Sequence, residues 1–268
     1  MLEKNKNMIS CLLQGGLGNQ LFQISTTLSF GWENDIDSKF NLKLHNLPLQ
    51  GNKALSYKNI FYSNLDLSDE NFLKKCKVFN EIDFHYNKIP FSVTKDDYIL
   101  KGYFQSEKYF VKYRDKLLEY FKPNNDIITY LKKYNNLLCG NTCSIHVRRG
   151  DYLKLPNDHP TLNIKYYKES INEFSDDTKF LVFSDDINWC RNNLIGDNIF
   201  YVDEPKDYIN LYLMSLCNNN IIANSSFSWW GAWLNNNNNK KVIAPKKWFG
   251  VNKKLDTKDL LPTEWETK

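Results

Sequence analysis

The chain has 268 residues, 42% of them hydrophobic and 25% charged, which is globular composition and excludes a largely disordered chain, a collagen-like protein or a disulfide scaffold. The 35 basic against 31 acidic residues leave a net charge of +4, too slight and too spread out for a nucleic-acid surface. The length suits one large domain or two of about 100–150 residues.

In chain order, Met8-Ile9-Ser10-Cys11-Leu12-Leu13 is a short apolar run that predicts a buried strand and is too short for a signal-peptide core. Glycines follow, and then Leu17, Leu21, Ile24 and Leu28 at i, i+4, i+7, i+11 share one helical face. Lys39 to Leu44 alternates like a strand with one wet face. The middle of the chain, 50–135, has weak periodicity. Within it a strand is expected at Tyr98–Tyr103 and a helix at Asp115–Phe121, ending before Pro123. From 142 onward strands are expected at Thr142–Val147, Phe180–Ser184, Ile199–Val202, Ile221–Ala223 and Lys241–Ala244. Helices are expected between them at Ile164–Phe174, Ile187–Asn193, Asp207–Leu216 and Phe227–Leu234. That alternation predicts an α/β fold with parallel sheets, in two nucleotide-fold halves at 1–138 and 139–268, the second ending in a tail. The asparagine tracts Asn218–Asn220 and Asn235–Asn239 read as loops of low complexity without function.

The six cysteines, at 11, 76, 139, 143, 190 and 217, are scattered and read as reduced thiols. Cys139 and Cys143 lack the second pair that a metal site would need. No run of about 18 apolar residues offers a spanning helix. The chain therefore reads as soluble and intracellular.

Ligands in a parallel sheet gather at the carboxyl ends of strands, where loops enter helices. Four polar clusters fall there. Gly15-Gly16-Leu17-Gly18-Asn19-Gln20 can admit a ligand close to the backbone, or simply be a turn, and its two amides exceed what a turn needs. His146-Val147-Arg148-Arg149-Gly150-Asp151-Tyr152 sets two guanidiniums at a strand end, which suits a diphosphate. The pleat puts His146 and Arg148 on one face and Arg149 on the other, so one arginine is expected to reach ligand and the other to pair with a carboxylate. Ser184-Asp185-Asp186 offers metal, ribose or base chemistry, or a helix cap from Ser184 or Asp185. Asn224-Ser225-Ser226-Phe227 opens a helix as an anion site or a plain cap, and Trp229, Trp230 and Trp233 read as core. Asp35-Ile36-Asp37 matches the metal-holding pattern of many sugar transferases, but it lies before a strand, at the end remote from ligand. The positive charge for a leaving diphosphate is then expected from Arg148.

The stretches GGLGNQLFQ (15–23), LKGYFQSEKYF (100–110), HVRRGDY (146–152), FSDD (183–186) and LMSLCNNNIIANSSFSWWGAWLN (213–235), in this order, resemble glycosyltransferase family 11 in its bacterial form, the α-1,2-fucosyltransferases. The resemblance implies a GT-B-like fold of two Rossmann-type domains facing a central cleft. The first would be the acceptor side, and the second would bind GDP-β-L-fucose. It also implies inversion at the sugar, no cofactor and no required metal. By position it gives Arg148 the β-phosphate, His146 the nucleoside, Asp207 the guanine, and Ser225, Ser226 and Phe227 the phosphates and base. Asn19 would lie near the fucose, with Gly16, Gly18, Gln20 and Asp185 also on the donor side, and Arg149 and Asp151 as support of the arginine motif. The acceptor implied is O2 of a terminal galactose in surface-polysaccharide or O-antigen assembly. A lipid-linked acceptor would bring the protein to the cytoplasmic face of the inner membrane.

The general base is left among Asp151, Asp158 and His159, with an SN1-like route that uses the diphosphate itself still open. Two other classes compete: a nucleotide- or glycan-binding module without turnover, and an RNA-binding protein using stretches such as Lys108-Tyr109-Phe110-Val111-Lys112-Tyr113. The intact arginine motif argues against the first, and the even charge distribution against the second.

Overall fold

In the computed structural model of the chain, the structure describes residues 7–42, 54–68 and 75–268. They form two compact units, Met1–Lys122 with Leu255–Pro262, and Pro123–Lys254 with Thr263–Lys268. Both are α/β units with all-parallel sheets, as the alternation of elements implies.

The first unit has strands β1 (Met8–Cys11), β2 (Asp37–Ser38), β3 (Lys77–Asn80) and β4 (Tyr98–Lys101), in the order β2-β1-β4-β3. Helix α1 (Leu17–Asn34) buries Leu17, Leu21, Ile24 and Leu28, the four residues of its apolar stripe. It ends at Asp35 in the left-handed region, φ 52°. The strand expected over Lys39–Leu44 is shorter and earlier: pairing stops at Ser38, and Phe40 makes one isolated bridge to Leu67. Residues 43 and 44 lie outside the described ones. A short helix, α2 (Arg114–Tyr120), seats Leu117 in the core.

The second unit has six strands in the order β10-β9-β8-β5-β6-β7: β5 (Thr142–Val147), β6 (Lys179–Ser184), β7 (Ile199–Tyr201), β8 (Asn219–Ile221), β9 (Val242–Ala244) and β10 (Glu266–Thr267). All six residues of β5 are buried, as a central strand covered on both faces requires. Its helices are α3 (Asn125–Leu131), α4 (Asn135–Leu138), α5 (Ile164–Ile171), α6 (Ile187–Asn193), α7 (Asp207–Leu216) and α8 (Ser226–Leu234). Trp229, Trp230 and Trp233 of α8 are buried. No helix among the described residues is long and apolar enough to cross a membrane.

Two sequence readings change here. The asparagine tracts are internal scaffolding and not idle loops. Asn220, fully buried on β8, donates to Ser144 Oγ (2.7 Å) and Met214 O (2.8 Å), and Asn235 donates to Asn220 Oδ1 and Cys217 O, both at 2.8 Å. Asn218 Oδ1 accepts from the backbone N–H and hydroxyl of Thr142, each at 2.9 Å. Buried amides are tolerated because both ends are bonded. The chain also leaves the first unit at Lys122 and not near 138, since α3 and α4 belong to the second. Tyr130 (2.9 Å), Lys133 (3.1 Å) and Tyr134 (2.6 Å) converge on the buried carboxylate of Glu204, which also accepts the Lys206 N–H at 3.0 Å. Burial alone would raise that carboxyl, but hydrogen bonds led by the Tyr134 hydroxyl hold it down at about 2.

Candidate functional site

At the carboxyl ends of β5 and β6 the register pairs His146 with Phe183 and Val147 with Ser184, so the two loops leave side by side. That register brings two separate sequence clusters together. Arg148 Nη1 lies 2.8 Å from Asp185 Oδ2, and its Nη2 lies 2.6 Å from Asp151 Oδ1. Arg149 Nε donates to Asp186 Oδ2 at 3.0 Å, its backbone N–H to Asp185 Oδ1 at 2.8 Å, and its guanidinium lies 4.3 Å from the Trp189 ring centroid. Both arginines thus pair with carboxylates, Arg149 as expected and Arg148 as well. Arg148 is the more exposed of the two, at 34%, and its partner Asp151 is at 60%. A guanidinium has five N–H donors, so this one can serve an anion as well as its carboxylates.

The neighbouring groups are arranged around this pair. His146 is buried, and burial first, then the Arg148 charge, pushes its imidazole down to about 3, so it is neutral. Its ring lies 5.5 Å from Phe227, and its buried Nδ1 has no hydrogen-bond partner among the described residues. Ser225 caps α8 by accepting the Phe227 N–H at 3.3 Å, while Ser226 and Phe227 are half-buried. Tyr152 donates its hydroxyl to Asn224 O at 3.0 Å and stacks on His159, centroids 5.0 Å apart. Burial, and then the Lys253 charge, lowers the His159 pKa. Asp158 Oδ2 accepts from Asn252 Nδ2 at 3.4 Å. Of the three candidate bases, Asp151 is the one joined directly to Arg148. Asp207 opens α7, the helix after β7, and its Oδ1 accepts the Tyr208 N–H at 2.8 Å. The cap expected from Ser184 or Asp185 comes instead from Asp186, whose Oδ1 accepts the Trp189 N–H at 3.1 Å. Asp185 is thereby left to the arginine motif.

In the first unit, Gly15 takes φ +78°, a left-handed turn that a side chain would strain, and exposed Gly16 precedes α1. Gly18 is buried in the first turn of α1. Gln20 is not available to a ligand: its Nε2 donates to Gly15 O at 2.8 Å, and its Oε1 accepts the Tyr62 hydroxyl at 2.7 Å. It shapes the turn from the interior. Asn19 is half-buried at the turn, and its Oδ1 accepts from Gln105 Nε2 at 2.7 Å. Sequence reading missed Gln105, and also Glu81, whose carboxylate accepts the N–H groups of Tyr103 (2.7 Å) and Phe104 (2.8 Å). Burial pushes the Glu81 carboxyl up to about 7 although these two N–H groups pull it down. The one clue was Gln105 itself, inside the quoted stretch 100–110. Among the described residues no group of three or more His, Cys, Asp or Glu side chains is placed to hold a metal ion.

The family model of glycosyl transferase family 11 matches residues 3–267. The chain belongs to glycosyl transferase family 11. This family 11 glycosyltransferase is 32% identical to the O-antigen biosynthesis glycosyltransferase WbnK of Escherichia coli, over 92% of this chain and 96% of that protein. It is also 32% identical to an α-1,2-colitosyltransferase of Escherichia coli, over 97% and 98%. A galactoside α-(1,2)-fucosyltransferase 1 of Ateles belzebuth is 33% identical over a shorter stretch, 34% of this chain and 28% of that one. Among solved structures, the NodZ α-1,6-fucosyltransferase of Bradyrhizobium, soaked with GDP-fucose, shares the fold at a TM-score of 0.53 and 12% identity, covering 86% of this chain and 93% of that one. The family 11 glycosyltransferase thus has a GT-B-type fold, built from α/β units with parallel sheets.

Proposed function

We propose that this family 11 glycosyltransferase transfers L-fucose from GDP-β-L-fucose to O2 of a terminal galactose, with inversion to an α-1,2 linkage, in the assembly of an O-antigen or related surface polysaccharide. The observation that carries the reading is Arg148 at the carboxyl end of β5, the more exposed arginine of a charged cluster beside His146 and Phe227. In this reading the acceptor hydroxyl attacks the anomeric carbon from the face opposite GDP. The bond to the diphosphate breaks with oxocarbenium character, and Arg148 stabilises the charge that builds on the departing phosphate oxygens. Exposed Asp151 gives up part of its hold on the guanidinium as diphosphate arrives. His146, neutral and packed on Phe227, faces the nucleoside, and Asp207 takes the guanine. Asn19 is the amide that the resemblance assigns to the sugar. The acceptor proton goes to Asp151, Asp158 or His159, or to the diphosphate, and the reaction uses no metal.

One observation favours a second donor. A relative alike along nearly the whole length is named an α-1,2-colitosyltransferase, and colitose is L-fucose without its 3-hydroxyl. The test is to offer purified protein GDP-L-fucose and GDP-L-colitose side by side with a panel of galactosides, and to locate the new linkage by NMR. Fucosyl transfer to O2 of galactose is the result expected. Transfer from GDP-L-colitose alone replaces the donor, and a different linkage overturns the α-1,2 reading. Turnover that survives EDTA fits Arg148 in place of a cation, and turnover abolished by EDTA and restored by a divalent ion would remove it.

A further inference from the structure

The stretch 100–110 is part of the resemblance to the family, yet no step of the proposed reaction uses it. Its structure gives it a task. β3 and β4 are parallel neighbours with Asn80 opposite Lys101, so Glu81 and Gly102 leave the sheet side by side, joined by the Glu81 N–H donating to Lys101 O at 2.8 Å. Only glycine fits at 102, where a Cβ would fall 2.3 Å from the Glu81 Cβ. Glu81 then closes over the next two residues through the Tyr103 and Phe104 N–H groups, and Phe104 is held in the left-handed region at φ 51°. From the other side Gln23 Nε2 donates to Gly102 O at 3.0 Å, while its Oε1 accepts the Gln14 N–H at 2.9 Å. The turn is therefore gripped on both faces.

The residue this turn delivers is Gln105, only 7% exposed, and its Nε2 occupies Asn19 Oδ1. With the oxygen end of the Asn19 amide taken, the nitrogen end lies at Gly15, where a Cβ would sit 2.4 Å from Nδ2. An asparagine amide is an acceptor at one end and a donor at the other, so this contact decides which is presented at the glycine turn.

We propose that Glu81 and Gln105 are positioning residues that fix the Asn19 amide with its N–H end at the glycine turn, where it is set to donate to an oxygen of the sugar-nucleotide donor. The use of that N–H rests on the reading given under Proposed function. The fixing of the amide does not.

The test is a double-mutant cycle with an independent readout. Gln105→Ala is expected to lower kcat about 10-fold with little change in the donor KM, the mark of an interaction made in the transition state. In an Asn19→Ala background the same substitution is expected to do nothing further. If the two losses multiply, Gln105 acts elsewhere and the proposal falls. In the ¹⁵N-labelled protein without substrate, the Asn19 side-chain amide signals, identified by their loss in Asn19→Ala, are expected to shift in both Gln105→Ala and Glu81→Gln. Unmoved signals in folded variants overturn it. Should Glu81→Gln fail to fold, Gln105→Ala alone decides. Wild-type protein that transfers nothing from GDP-L-fucose would defeat the functional reading while the NMR arm still judged the positioning.

Discussion

The loops at the carboxyl ends of the two sheets are organised by different forces. In the first unit five amides, from Gln14, Asn19, Gln20, Gln23 and Gln105, bond to one another, to backbone and to the Tyr62 hydroxyl, with the Glu81 carboxylate beside them. In the second unit two guanidiniums share Asp151, Asp185 and Asp186. Neutral hydrogen bonds are directional and little affected by salt, so such a loop keeps one geometry. Exposed ion pairs are individually weak and exchangeable, so a charged loop can trade one partner for an incoming anion.

The contrast can be broken most visibly at Arg148. Arg148→Ala should lower turnover by about 10²–10³ while circular dichroism and melting stay near wild type, because in the proposed reaction it removes a donor to developing charge and it takes away little packing. A folded Arg148→Ala protein of near-normal turnover would sink the charged half of the comparison. Next come two carboxylates whose stability terms run in opposite directions with pH. Glu204 has its pKa held down at about 2, so it stabilises the fold above the ordinary value of 4.5 and loses that contribution as pH falls toward 2, about 3 kcal/mol in all. Acid melting should show this loss, and Glu204→Gln should flatten it while lowering stability at pH 7. Glu81 has its pKa raised to about 7, so the fold binds its proton more tightly than the unfolded chain does. Its contribution is complete below pH 4.5 and is lost as pH rises through about 7, a slope that Glu81→Gln should remove. The smallest effect is expected at Asp186. Asp186→Ala deletes the cap of α6 and the Arg149 contact, and should cost about 1 kcal/mol in denaturant melts.

Much of the second unit was readable from the chain because its central strands must be continuous apolar runs, as at Thr142–Val147, and α1 was readable from its apolar stripe. β3 was not, since an edge strand with Val78 half exposed carries no such signal. β8 begins two residues earlier than expected because Asn219 and Asn220 look like loop residues until their partners in space are known. The place of the arginine motif at the end of a strand was legible, but its pairing with Asp185 and Asp186 was not, because it depends on the β5–β6 register. Glu204 escaped notice for a similar reason: its three side-chain partners lie 70 to 74 positions away in the chain.

The last crossing of the chain has a consequence for synthesis. Residues 255–262 return to the first unit, where Asp259 takes the Tyr86 N–H (3.2 Å) and the Lys108 ammonium (2.5 Å), and 263–268 go back to add β10 beside β9. An N-terminal half emerging from the ribosome therefore waits, incomplete, for a segment translated some 130 codons after it. Clipping the chain at Lys254 would leave both halves missing a piece, so that a protease nick there should read out as loss of the whole protein and not of a tail.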